Sequence, residues 1–289
     1  MRGLLADRRG AFGLAVLLLA TLLALAAPLV TNGAPAAQHD VVGTRFLPPL
    51  ATDRYHVFHP FGTDRFGRDV WTRVVYGARI SLAVSSLAVL LSLIVGVTVG
   101  AVAGYATRGV GTLLLGVTDF ALALPRVVLL LLLAAFWPPS AALVILVLGL
   151  TGWMTIARLV HGEVRALATR PFVEGATALG ARGGRILWRH ILPNALTPVI
   201  VATALGVGNA VLLEAGLSFL GLGVQPPTPS WGNMIASGRD TLVNAPWVAA
   251  TPGLALVLIV VACTMLGDAM RDAYYNSRNT PSSISCPPS

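Results

Sequence analysis

Six long apolar stretches dominate this sequence and restrict the chain to a membrane-spanning fold. They cover approximately residues 10–30, 80–103, 113–137, 141–157, 196–217 and 248–266. A bilayer core requires about 20 apolar residues per helix, and backbone groups in lipid must be hydrogen-bonded within the helix itself. Only 11% of the residues are charged, against roughly a quarter in soluble domains. We therefore predict an all-α integral membrane protein with six transmembrane helices.

The distribution of arginine predicts how these helices are oriented. With the N-terminus inside, twelve arginines fall in cytoplasmic segments and seven in outer segments, and cytoplasmic loops generally carry the positive excess. We therefore expect an N-in, C-in arrangement, and the same rule explains the net charge of +8 without any binding of nucleic acid. The first stretch has an alternative: arginines precede it and Leu25-Ala26-Ala27 provides small residues, as in a cleaved signal peptide.

The polar segments divide the chain into four regions. We predict an N-terminal anchor helix in 1–31, an extracytoplasmic segment in 32–79, a core helical domain in 80–275 and a disordered tail in 276–289. Within the core, the cytoplasmic loop at 158–193 is too long to be a simple connector. Glycines and charges at 62–69 predict a tight turn before a helix that starts near Arg68. Those charges either fix the loop or contact another protein.

The complete absence of lysine excludes several chemistries. All 20 basic residues are arginine, whereas a Walker A loop needs lysine to reach the β- and γ-phosphates and Schiff-base enzymes need its amine. The sequence also has neither the H-E-x-x-H zinc motif nor a complete nucleophile elbow. We therefore expect no catalytic, metal-binding or cofactor-binding residues in this chain, and any energised work must draw on another subunit.

A short helix is predicted in the middle of the cytoplasmic loop. Thr169 can cap it, Pro171 is tolerated in a first turn, and Glu174 favours the positive end of the helix dipole. The helix should weaken at Gly180. Its small side chains allow another backbone to approach closely, which suits a groove on a partner protein. The alternative is an interfacial helix that lies on the lipid headgroups.

The same loop resembles a family motif. Glu174-Gly175-Ala176 is followed by Gly180 and, after nine intervening residues, by His190-Ile191-Leu192-Pro193. This pattern resembles the EAA motif of the membrane permease subunits of bacterial ABC importers. It departs from the motif at Gly175, where alanine is usual, and at His190, where the general pattern has an apolar residue. Residues 189–194 are nevertheless similar to the form in the dipeptide, oligopeptide and nickel branch.

Two further blocks resemble the C-type permeases of that branch. The first comprises residues 59–70 and 76–82, before the second apolar stretch. The second comprises residues 214–223 and 229–232, after the fifth stretch. The resemblance covers roughly residues 10–275 and leaves out only the tail.

The resemblance implies a type I ABC importer permease fold and a division of labour among subunits. It implies a homologous second permease of the B type, one or two cytoplasmic ATPase subunits that hold ATP and magnesium, and an extracytoplasmic substrate-binding protein. The implied cargo is di- or oligopeptides, or a related solute such as a nickel chelate. The short helix would couple ATPase closure to pore opening through Glu174, Gly175, Ala176, Leu179, Gly180, Ala181 and Arg182.

Four polar residues within the apolar stretches are candidates for the translocation path: Asp119, Arg126, Asn209 and Glu214. An ionisable group costs about 2.5–3.5 kcal/mol at the centre of a span. Asp119 and Arg126 lie two turns apart in the third stretch, where they either pair along the helix or line a water-filled path. Glu214 either meets a peptide amine or a metal ion, or anchors the loop at 216–223 by accepting backbone N–H bonds.

Two rival functions remain open from the residues alone. An ion-coupled secondary transporter would use Asp119 or Glu214 to carry its driving ion. An intramembrane enzyme would need a catalytic constellation, and all five histidines are predicted to lie outside the hydrocarbon.

Overall fold

The protein is described by a computed structural model that covers residues 7–31, 33–38, 40–106 and 108–279. Its helices are α1 (Arg8–Leu25), α2 (Ala27–Val30), α3 (Val70–Tyr105), α4 (Arg108–Ala123), α5 (Arg126–Ala135), α6 (Ala141–Ala168), α7 (Pro171–Ala178), α8 (Gly183–Ile186), α9 (Leu192–Phe219), α10 (Trp231–Arg239) and α11 (Trp247–Asn279). A π-helical turn at Leu187–Ile191 joins α8 to α9. Strand β1 (Ala51–Thr52) pairs antiparallel with β2 (Phe58–His59).

The described residues contain five helical runs that are long and apolar enough to cross a membrane. They are α1, α3, α6, the run from α8 through α9, and α11. Helices α4 and α5 pass the same test only as a pair, and they are bent by 87°. The prediction of one continuous helix at 113–137 is therefore wrong. The break falls at Pro125, which lacks a backbone N–H and takes the N-cap position of α5.

Two predicted boundaries fall inside helices. Helix α3 begins at Val70, close to the predicted start near Arg68, and continues to Tyr105, so the boundary drawn at residue 79 lies within it. Helix α11 extends to Asn279, four residues into the predicted tail. The rest of that tail, 280–289, lies outside the described residues.

Helices α3 and α6 pack face to face along a row of glycines. Gly96, Gly100 and Gly104 recur every fourth residue on α3, and each meets α6 so closely that a side chain would collide. A Cβ on Gly100 would lie 2.8 Å from Cβ of Val160, and one on Gly104 would lie 2.9 Å from Cβ of Val164. Small residues at this spacing let two backbones approach in a membrane. The two helices run parallel, because the residue numbers along α6 increase in the same direction as those of the glycines of α3 that they contact.

A parallel pair obliges the chain to return across the bundle between α3 and α6, and the bent pair α4–α5 makes that return. Helix α9 then packs against both α3 and α6, and α11 packs against α9. Helix α1 packs on α11, where a Cβ on Gly13 would lie 3.0 Å from the backbone nitrogen of Leu266. The result is a bundle in which α3, α6 and α9 enclose the interior.

The turn at 62–69 is held by buried charges. Gly62 and Gly67 both adopt positive φ angles, 71° and 72°, which glycine tolerates without strain. Asp64 accepts hydrogen bonds from Nε of Arg68 at 2.7 Å and from the N–H of Phe66 at 2.8 Å. Both charged side chains are less than a tenth exposed. Their role in fixing the loop is therefore supported over contact with another protein.

His59 links the small hairpin to the first turn of α3. Its Nδ1 lies 2.9 Å from Oδ1 of Asp69, and its Nε2 lies 3.6 Å from Oδ2 of Asp53. Asp69 is also the N-cap of α3, accepting the N–H of Thr72 at 2.7 Å. The outer segment is thus attached to α3 through one shared carboxylate.

Substitution of Gly100 by alanine should weaken the bundle. The added methyl would press on Val160, and overpacking of this kind costs about 1–3 kcal/mol. We expect a lower midpoint of thermal unfolding for detergent-purified Gly100→Ala protein. Gly116→Ala on α4 is the matched control, because a Cβ there meets nothing within 4 Å. Equal midpoints for the two variants would contradict the close packing.

Acid should selectively weaken the hairpin. Burial opposes ionisation of Asp53, but the N–H groups of Val57 and Tyr55 and the contact with His59 outweigh it and lower the pKa of the carboxyl. This stabilisation is therefore complete above the ordinary pKa of about 3.9 and is lost as pH falls through the lower folded value. Asp53→Asn should unfold at a lower temperature than the parent at pH 6, and the gap should narrow as the pH falls below about 4. A gap independent of pH would refute this.

Candidate functional site

A cavity of about 180 Å³, hereafter the central cavity, lies between α3, α5, α6 and α9. Its wall is largely aliphatic, and its polar members are Ser92, Arg126, Thr155, Thr203 and Asn209. Ser92 and Thr203 donate to carbonyl oxygens at 3.0 and 2.7 Å. Among the described residues that line the cavity, none is acidic. Arg126 and Asn209, both predicted for the translocation path, are thus brought together.

Arg126 contributes an unpaired guanidinium to this cavity. Its Nε is buried and has no hydrogen-bond partner among the described residues. Its Nη2 lies beside α6 at Gly152, where a Cβ would be 3.5 Å away. Ser92 occupies the same niche, and a Cβ on Gly152 would collide with its hydroxyl oxygen. The glycine therefore makes room for both polar side chains.

Of the two alternatives for Asp119 and Arg126, pairing along one helix is not found in the structure. The 87° bend between α4 and α5 removes the shared helix face. Asp119 instead forms an ion pair with Arg158 of α6, with 3.7 Å between Oδ1 and Nε. Asp119 is absent from the wall of the central cavity. Its geometry fits a link between α4 and α6.

Glu214 is fully buried at the outer end of α9. Its Oε1 accepts a hydrogen bond from the Ser218 hydroxyl at 2.8 Å, and the Ser218 oxygen accepts the N–H of Val224 at 3.1 Å. Of the two alternatives for Glu214, the geometry supports anchoring of the loop that follows α9. The anchor acts through Ser218, and not by direct acceptance of backbone N–H bonds as predicted.

The two sequence blocks that resemble C-type permeases meet around Glu214. The N–H of Trp231 donates to Ser81 at 3.2 Å, and its indole Nε1 donates to the carbonyl of Val74 at 3.1 Å. Gly232 lies so close to Ala215 that a Cβ would collide with its carbonyl oxygen. This network joins α3, α9 and α10 at the outer end of the bundle.

The predicted coupling residues form an exposed surface on the cytoplasmic loop. Glu174, Gly175, Leu179, Gly180 and Arg182 are exposed, and Ala176 and Ala181 are half-buried. Leu179 is 90% exposed. Cβ atoms on Gly175 or Gly180 would meet nothing within 4 Å. The small residues here are therefore not required by packing within this chain.

The opposite face of this loop is anchored in the bundle. Val173 of α7 and Ile186, Leu187 and Ile191 beyond it are buried in one apolar cluster with Val160 of α6. Helix α7 ends before Gly180, whose φ is +77°. The loop thus has an outer face that is exposed and an inner face that is packed against the bundle.

The capping prediction for this helix is wrong at one residue. Arg170, and not Thr169, takes the N-cap position of α7, and no side chain caps it. Thr169 instead ends α6, where its hydroxyl donates to the carbonyl of Ala166 at 3.2 Å. Pro171 in the first turn and the break at Gly180 agree with the structure.

Sequence reasoning missed Ser92, Thr155 and Thr203 in the cavity wall. Neutral hydroxyl residues are common in membrane helices, where they bond to their own backbone, so nothing in the sequence separates these three from the rest. The glycine row at 96, 100 and 104 was the available signal, since small residues four apart mark a helix contact. Within the described part of the chain, no group of three His, Cys, Asp or Glu is placed to hold a metal ion.

Comparison with known proteins shows that this chain is similar to membrane components of transport systems. A family model described as "Binding-protein-dependent transport system inner membrane component" matches residues 96–278. The dipeptide transport system permease protein DppC of Alkalihalophilus pseudofirmus is 40% identical over 90% of this chain and 83% of its own. The di/tripeptide transport system permease protein DppC of Pseudomonas aeruginosa is 37% identical over 93% of this chain and 88% of its own.

Solved structures with a similar fold include inward-facing conformations of the MetNI methionine ABC transporter. One matching chain has a TM-score of 0.58 at 20% identity and covers 70% of this chain and 95% of its own. A second crystal form gives a TM-score of 0.55 at 22% identity. At this identity the likeness is one of fold.

Removal of the Ser218 hydroxyl should destabilise the outer end of the bundle. Ser218→Ala leaves a buried carboxylate and the N–H of Val224 without their partner, and an unsatisfied buried group costs about 1–3 kcal/mol. We expect a lower unfolding temperature for the purified protein. Ser86→Ala, at an exposed position on α3, is the control and should unfold like the parent. No difference between the two would show that the network adds nothing.

Proposed function

The chain belongs to the family of inner membrane components of binding-protein-dependent transport systems, and from this premise we propose that it forms half of a pore for short peptides. It is a multi-pass permease component of an ABC importer in the cell membrane. The peptide cargo is supported by its relatives, which are named for dipeptide and di/tripeptide transport. A nickel chelate is the alternative cargo, because the branch of permeases that the sequence resembles also includes nickel importers.

The observation that carries this proposal is the two-faced cytoplasmic loop. Its outer face exposes Leu179 and Glu174 to the cytoplasm, while its inner face is buried against α6. A force applied to the outer face is therefore transmitted to the helix that packs on α3. We assign ATPase docking to residues 174–176 and 179–182, and ATP with magnesium to separate ATPase subunits.

The path for the peptide runs along the central cavity in this proposal. Arg126 and Asn209 line it, and α3, α6 and α9 supply most of its wall. A homologous second permease would complete the pore on the open side of the cavity. An extracytoplasmic binding protein would deliver the peptide to the outer end, where the loops on either side of α10 are exposed at residues 225–228 and 242–244.

Nothing in the geometry or the comparisons favours an ion-coupled secondary transporter. Asp119 is paired with Arg158, and Glu214 is enclosed behind Ser218. Neither carboxylate lines the central cavity.

Purification of the chain from its native membrane tests the proposal. A second permease and one or two ATPases should accompany it, and the complex, reconstituted with its binding protein, should accumulate radiolabelled trialanine only when ATP is supplied. Uptake by this chain alone, driven by a proton gradient, would refute the assignment.

The coupling surface can be tested separately by placing a charge on it. Leu179→Asp should leave the amount of chain in the membrane unchanged, because that side chain is 90% exposed, and should reduce peptide-stimulated ATP hydrolysis by at least about tenfold, the effect of about 1.4 kcal/mol. Val243→Asp is the matched control, since Val243 is 96% exposed in the loop between α10 and α11. Full stimulation in Leu179→Asp would contradict docking at this surface.

A further inference from the structure

Of the described residues that line the central cavity, Arg126 is the only one whose side chain is charged. Its buried Nε has no hydrogen-bond partner among those residues. Asp119, the acidic residue of the same bent helix pair, is already engaged with Arg158. A charge in the membrane region is costly and is found where it faces water, a pathway or a counter-charge. An arginine that faces a cavity without an acid therefore indicates an anionic guest.

The position of Arg126 strengthens the positive potential in the cavity. It stands at the first residue of α5, a helix with no acidic residue in its first turn and no side-chain cap. The N-terminus of a helix carries a partial positive charge, so a cation there is unfavourable for the helix itself. The partial charge of the helix and the charge of the side chain therefore add at Arg126.

The remaining polar groups suit a carboxylate. Thr155 on α6 and Asn209 on α9 are exposed at the wall and supply a hydroxyl and an amide as neutral donors. Guanidinium binds a carboxylate with two parallel hydrogen bonds. The volume of about 180 Å³ gives room for one end of a peptide.

We infer that Arg126 binds the C-terminal carboxylate of a peptide as it passes through the central cavity. This inference rests on the proposed function, since it supposes a peptide cargo. The competing occupant is an acidic side chain of the second permease, which would pair with the same guanidinium.

Equilibrium binding to the intact complex, without its binding protein, tests the inference. The probes are radiolabelled trialanine and trialanine amide, which lacks the anionic terminus. A charge-assisted hydrogen bond predicts a Kd for trialanine that rises about tenfold or more in Arg126→Gln and rises less in Arg126→Lys, which keeps the positive charge but loses the two parallel hydrogen bonds. Trialanine amide should bind weakly to both Arg126 variants. Arg239→Gln, at an exposed outer position, is the control and should bind like the parent.

A second variant covers the case in which Arg126→Gln does not reach the membrane. Asn209→Asp places a carboxylate in the same cavity, where it should pair with Arg126 and weaken trialanine binding about tenfold while the complex stays intact. Equal weakening of both probes, or loss of the second permease from Arg126→Gln, would overturn the inference in favour of a structural pair. So would unchanged binding in both variants, or no saturable binding to the parent up to about 10 mM. Trialanine uptake by the parent complex decides the proposed function independently.

Discussion

The close approach of α3 and α6 sets the geometry of everything else in this protein. In the inner half, three glycines of α3 receive the side chains of α6, and in the outer half Gly149 and Gly152 of α6 receive Leu91 and Ser92 of α3. Because the pair is parallel, the chain must cross back between them, and α4 and α5 do so with a bend. The central cavity is the space left beside this pair.

Much of the fold could be predicted from apolar length alone, because the bilayer dictates how many residues a helix needs. That rule locates apolar helices but does not show whether a helix is continuous or broken. Pro125 was visible in the sequence, yet proline is tolerated in many membrane helices when neighbours satisfy the freed groups. Pro198 and Pro252 do lie inside helices here. Only the surroundings decide between a kink and an 87° break.

The candidate site was less accessible to sequence reasoning, for a related reason. Helical spacing places Asp119 and Arg126 on one face only while the helix is unbroken, so the break between α4 and α5 separates two residues that the sequence had placed together. Arg126 was singled out by the cost of its charge in the membrane, and its position in the cavity wall depends on the space beside Gly152. Exposure of the coupling residues followed more directly, since a loop of small residues between two spans has little to bury.

The two faces of the cytoplasmic loop have a consequence for how such permeases diverge. Folding depends on Val173, Ile186 and their neighbours, whereas Leu179 and Gly175 contact nothing that the bundle needs. With ATPase docking as proposed, mutations on the outer face would change which ATPase the permease accepts without a penalty in stability. A few surface substitutions in this loop would then change which ATPase each of several paralogous importers in one cell accepts. The same kind of substitution would keep one permease from accepting the ATPase of another importer.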